Sequence, residues 1–208
     1  MSEDSLRNDI LKEIFNISVG KAAGLLSEII NRTIILTVPQ VDVLNINEEI
    51  QLEDYLPKVT DGALMVSSIS FHDILKGKAN LIFPAHKMRT FINLCMNENN
   101  ENDDTTFTDI DYDIIKEIGN IILNSIVGEV GNFLDIRLDY SLPEVKVFTQ
   151  LNLKKNLENK EYPHILILYI TFIIDETEIE GVILVNLTLN SLNELMKNLD
   201  RIEKKLYE

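Results

Sequence analysis

The segment Asp9-Ile-Leu-Lys-Glu-Ile-Phe-Asn-Ile17 recurs as Asp113-Ile-Ile-Lys-Glu-Ile-Gly-Asn-Ile121, and only Leu11/Ile115 and Phe15/Gly119 differ. The offset of 104 residues is half the chain, and it continues to pair Gly24 with Gly128, Pro39 with Pro143, Val41 with Val145 and Val43 with Val147. A register kept that far marks an internal duplication. It predicts two quasi-equivalent halves, about 5–97 and about 108–206, forming one domain over residues 1–208 around a pseudo-twofold axis.

Each half carries the same run of signals. A long helix comes first, about Ser5–Ile30 and about Asp109–Leu134, with Ser5 as the first N-cap and Thr108 followed by Asp111 as a capping box. Two short strands flank a proline: Thr33–Val38 with Val41–Ile46, and Arg137–Leu142 with Val145–Thr149. Polar loops follow at Asn47–Asp61 and Asn152–Tyr162. Two longer strands come next, Ala63–Phe71 with Ala79–Phe83, then His164–Ile174 with Ile179–Val185. Amphipathic helices close the halves at about Ala85–Met96 and Ser191–Leu206, and the polar run Asn97–Thr105 links them. Strands joined without intervening helices predict an α+β fold, a mostly antiparallel sheet with helices packed on it.

Charge narrows the partners. With 34 Asp+Glu against 19 Lys+Arg, the formal net charge of −15 repels nucleic acid and anionic lipid surfaces. The apolar run Ile165–Ile174 is too short to span a membrane, which takes about 20 residues. Met1-Ser-Glu-Asp-Ser5 lacks the basic and apolar regions of a signal peptide, and the single Cys95 reads as a small core residue, so the expected compartment is the cytoplasm.

At 100° per residue, Asp9, Glu13 and Asn16 fall within an arc of roughly 60°. Ile10, Ile14 and Ile17 form a neighbouring stripe expected to face the core, and Asp113, Glu117 and Asn120 repeat the arrangement beside Ile114, Ile118 and Ile121. Gly24 and Gly128 interrupt good helices at about 1 kcal/mol each, which a close crossing of the two helices would explain. Taken alone, two acids and an amide on a helix flank are also ordinary solvated surface. The trio nonetheless stays constant while most positions from Asp9 to Pro39 have drifted between the copies.

The spacing resembles the motif of the CheC, CheX and FliY phosphatase family: Asp or Ser, three residues, Glu, two residues, Asn, twenty-two residues, Pro. It occurs twice with every spacing intact, at Asp9, Glu13, Asn16, Pro39 and at Asp113, Glu117, Asn120, Pro143. Length, duplication and strand order are similar to CheC. The residue before the Asn is usually Gly in the family, as at Gly119; Phe15 departs from this, and a bulky ring there is expected to alter how a partner docks at the first site.

The resemblance implies a phosphatase acting on the aspartyl phosphate of a CheY-like receiver in chemotaxis. The receiver would hold the magnesium, and this chain would need no cofactor or metal of its own. Phosphoryl transfer to water needs mainly positioning and electrostatic help. A carboxamide can accept a hydrogen bond from the attacking water and donate to a phosphoryl oxygen, the role implied for Asn16 and Asn120. Glu13 and Glu117 would anchor a receiver cation, which the resemblance implies is its active-site lysine. Asp9 and Asp113 are auxiliary, and Pro39 and Pro143 read as turn or sheet-end residues. The alternatives are a non-catalytic adaptor for a CheD-type receptor deamidase and a flagellar-switch interaction protein. A di-metal helix site usually adds a Glu-x-x-His, whereas His72, His86 and His164 lie off the long helices without ligand spacing. Glycine-rich phosphate loops, nucleophile elbows and zinc patterns are absent from the sequence.

Overall fold

The computed structural model describes residues 3–45, 52–57, 62–96, 107–157, 161–174 and 176–206. The expected linker Asn97–Thr105 and much of the expected loop 47–61 lie outside them. The strands are β1 (Ile34–Thr37), β2 (Val41–Asn45), β3 (Ala63–His72), β4 (Gly77–Pro84), β5 (Asp139–Tyr140), β6 (Glu144–Thr149), β7 (His164–Ile174) and β8 (Thr177–Leu187). The helices are α1 (Glu3–Ile30), α2 (Ala85–Met96), α3 (Asp109–Phe133), α4 (Gln150–Leu157) and α5 (Leu189–Leu206).

All pairings among these strands are antiparallel, and the sheet is symmetric about the β8–β4 contact: β1 and β2 lie together on β7, then come β8, β4 and β3, with β5 and β6 together on β3. The halves are therefore interlaced, since each half's proline-flanked strands pair with the other half's long strand. Helices cross over too: α1 meets α5, and α3 meets α2. β7 and β8 are near-continuous apolar runs because they are covered on both faces.

The prolines sit in neither turns nor sheet ends. Thr37 pairs with Thr171 and Val41 with Leu168, so three residues, Val38 to Gln40, oppose two on β7. β1 and β2 are thus one edge strand broken by a bulge. Tyr140 pairs with Phe71 and Glu144 with Ser68, which gives the second edge the same bulge around Pro143. An edge bulge tolerates a residue with no N–H to give to the ladder.

The main core lies between the sheet and the α1/α3 layer. In α1 it takes Leu11, Phe15, Val19, Ala22 and Leu26, one residue on from the expected isoleucine stripe, and Ile17 is 48% exposed. The sequence misleads because α1 has apolar residues on almost every side, so periodicity singles out no face. In α3 the expected Ile118 does face the core, joined by Ile115, Ile122 and Ile126, while Ile114 and Ile121 pack at its margin. A second, smaller core covers the reverse face of the sheet, where Leu153 and Leu157 dock beside Leu56, Ile165 and Val182. Those two leucines, four apart, turn part of the expected loop Asn152–Tyr162 into α4, and a 3-10 turn at Leu52–Tyr55 occupies the other expected loop.

Helix starts differ in the same way. Thr108 forms the expected capping box with Asp111, whereas α1 already runs from Glu3 and Ser5 lies inside its first turn. Cys95 is half-buried against the main core, and burial pushes its thiol up to about 12, against a small opposing pull from Arg32.

Candidate active site

Both motif trios occupy the outer flank of their helices. Asp9, Glu13, Asp113 and Glu117 are exposed, and Asn16 and Asn120 are half-buried. α1 and α3 pack against each other, with Lys21 Nζ reaching Glu129 Oε2 at 2.9 Å across the crossing. Asn16 bonds to Val38 and Asn120 to Asn124, so the two amides form separate sites.

Two expectations about these helices need correction. A Cβ added at Gly24 or Gly128 would meet nothing within 4 Å, so neither glycine makes room for a crossing. The close approach is at Gly119, where an added Cβ would collide with Ser67 Oγ and Cβ. Its counterpart Phe15 is 0% exposed, on the core arc rather than the motif flank. A ring there cannot touch a docking partner. α3 comes close to β3 at the glycine, whereas α1 buries a phenyl ring at the same position.

The carboxamides differ as well. Asn16 Oδ1 accepts from the Val38 N–H at 2.8 Å, while its Nδ2 donates to the Val38 carbonyl at 3.0 Å and to the Lys12 carbonyl at 2.8 Å. Val38 is the first bulge residue, and Pro39 follows it. The proline, far along the chain from the trio, is therefore next to it in space. Asn120 makes no such contact with the second bulge. Its Oδ1 accepts from Asn124 Nδ2 at 2.7 Å, and its own Nδ2 has no partner among the described residues. The second bulge is tied to β3 instead, by Ser141 N–H to the Ser70 carbonyl and Ser70 N–H to Ser141 Oγ, and Leu142 is left 82% exposed.

Sequence reasoning missed Val38 and Asn124. The first contributes backbone, which carries no residue-type signal; the second was readable as an Asn one helical turn beyond Asn120. It also missed the charges that seat the helices. Asp111 Oδ2 accepts from Arg89 Nη1 at 3.0 Å, and the Arg89 guanidinium lies 4.6 Å from the Phe107 ring centroid. Burial pushes the Asp111 carboxyl up, but hydrogen bonds from Thr108 and Arg89 outweigh it and hold it below the usual Asp range. The matching position on α1 is Arg7, paired with Asp200 of α5 at 2.7 Å.

Among the described residues, no three His, Cys, Asp or Glu side chains gather where they could hold a metal ion, and no helix is long and apolar enough to cross a membrane.

Comparison with known proteins agrees with this geometry. A family model described as CheC-like family matches residues 7–42, the stretch from α1 through the first bulge. CheY-P phosphatase CheC of Bacillus subtilis (strain 168) is 26% identical over 140 residues, 67% of this chain and 65% of that protein, so the match spans just under two thirds of the relative's length. Thermotoga maritima FliY shares the fold, with a TM-score of 0.73 at 19% identity, covering 97% of this chain and 98% of that one. The FliM middle domain from H. pylori does so with a TM-score of 0.64 at 12% identity, covering 95% and 99%. Interlaced halves, a motif present twice and these matches make the chain similar to CheC-like proteins over residues 7–42 and, in fold, to FliY and the FliM middle domain.

Proposed function

We propose that this protein is a cytoplasmic phosphatase that hydrolyses the aspartyl phosphate of a CheY-like receiver in chemotaxis. One observation carries the reading: on α3, a half-exposed carboxamide with an unpartnered Nδ2 stands one helical turn from the exposed carboxylate of Glu117. Asn120 Oδ1 keeps a second lone pair beyond the one Asn124 uses, so it can accept a hydrogen bond from an attacking water while Nδ2 donates to a phosphoryl oxygen. Water adds to phosphorus in line, the bond to the aspartyl oxygen breaks, and the receiver carboxylate and inorganic phosphate leave. Glu117 pairs with a receiver cation, its lysine, and so seats the helix. Asp113 assists from a turn earlier, and Pro143 shapes the bulge alongside. The magnesium that neutralises the developing charge belongs to the receiver, and this chain supplies neither metal nor cofactor.

The fold likeness to FliM middle domains supports a second reading, a non-catalytic module that binds a flagellar-switch protein or a CheD-type deamidase. Phosphate release from a phosphorylated CheY-like receiver, with and without this protein, separates the two. Acceleration that Asn120→Ala cuts on the order of a hundredfold supports the enzyme. Receiver binding without acceleration supports the module.

A further inference from the structure

We infer that the two motif copies have parted in role: Asn16 is a clamp on the first edge-strand bulge, and Asn120 is the carboxamide left to act on a partner. The Asn120 half of this rests on the phosphatase reading; the Asn16 half does not. A carboxamide has two donor hydrogens and two acceptor lone pairs. Asn16 spends both donors, on Val38 and Lys12 carbonyls, and one acceptor site on the Val38 N–H. The pairing with Val38 runs in both directions, as between two strands of a ladder.

The bulge explains why Val38 needs this. Pro39 breaks the edge strand, β1 stops at Thr37, and Val38 is 0% exposed, so water cannot satisfy its N–H and carbonyl. Asn16 satisfies both and ties α1 to the open edge of the sheet. To serve a substrate, Asn16 would have to leave both groups unpaired in a buried place. Nothing comparable holds Asn120. The second bulge is tied through Ser141 and Ser70, and Leu142, the counterpart of the buried Val38, is 82% exposed. The residue before each Asn differs alongside: Gly119 lies against Ser67, and Phe15 is wholly buried in the core.

Side-chain amide hydrogen exchange by NMR on the unmodified protein tests the clamp without a variant or a substrate. The Asn16 NH2 signals should exchange at least about tenfold more slowly than those of Asn120, since one set is bonded to a buried carbonyl and the other is free. Equal exchange overturns the clamp. Asn16→Ala should then lower the unfolding midpoint by about 3–8 °C and keep receiver dephosphorylation within about threefold. Asn120→Ala should leave the midpoint unchanged and lower hydrolysis on the order of a hundredfold. Equal losses of hydrolysis in the two variants at unchanged midpoints overturn the division of roles. A wild-type protein that hydrolyses nothing ends the Asn120 assignment together with the phosphatase reading, while the exchange contrast still decides Asn16.

Discussion

The α1 and α3 halves began as copies and now solve the same packing problem in opposite ways. Before its Asn, α1 places Phe15 wholly inside the core, and α3 places Gly119 against Ser67. Near its start, α1 has the partly exposed pair Arg7–Asp200, whereas α3 has Asp111 buried in a capping box and paired with Arg89. In α1 the motif amide is consumed by the bulge; in α3 the bulge is tied through Ser141 and Ser70, and the amide bonds only to Asn124 among the described residues. The motif letters stayed identical while the residues that seat the helices diverged. A duplicated motif therefore does not guarantee a duplicated site, because an exposed amide takes its role from what its backbone is held against.

Exchanging the seating residues is the hardest test of this contrast. Phe15→Gly empties a fully buried site and puts glycine into a helix interior, so it should cost about 4–6 kcal/mol in chemical denaturation, from the Phe truncation range and the glycine penalty. A loss under about 1 kcal/mol would mean that α1 is not propped by the ring. Asp111→Ala removes one arm of the capping box and the Arg89 ion pair, and about 2–3 kcal/mol is expected at neutral pH.

The Asp111 contribution has a defined pH dependence. Its folded carboxyl titrates below its unfolded value of about 3.9, so the stability it adds is present above that value and disappears as pH falls through the lower folded pKa. Melting curves of the wild type and Asp111→Ala should converge in strong acid. A gap that persists there would assign the loss to packing rather than to charge.

Gly119→Ala gains about 1 kcal/mol of helix propensity but drives a methyl group into Ser67, for a net loss of about 1–2 kcal/mol. Combining it with Ser67→Gly should cost less than the sum of the two changes, and simple additivity would show that the contact is not limiting. The smallest effect belongs to Arg7→Ala, no more than about 1 kcal/mol and weaker in high salt, because Asp200 is nearly half exposed. A larger loss would make the two helix starts equivalent after all.

Much of the fold was legible. α2 over Ala85–Met96 and β7 over His164–Ile174 coincide with the boundaries expected from patterning, because both are short elements with one clear period or one continuous apolar run. α4 was missed because a polar segment becomes helical here only through two leucines that dock on the reverse face. The face of α1 was misread by one residue because its apolar residues surround it.

By itself the sequence determined that the chain is duplicated, that each copy is a helix followed by strands around a proline, and that each helix carries an acid, an acid and an amide at helical spacing. These follow from local periodicity and from comparing the chain with itself. Only the tertiary structure decided that the strands exchange between halves, that each proline sits in an edge bulge, and that Val38 holds Asn16 while nothing equivalent holds Asn120. Those outcomes depend on which backbone groups the sheet leaves unpaired and how deeply each helix seats. Both are set by contacts between residues far apart in the chain, at positions such as Gly119 and Ser67 whose meeting no local pattern encodes.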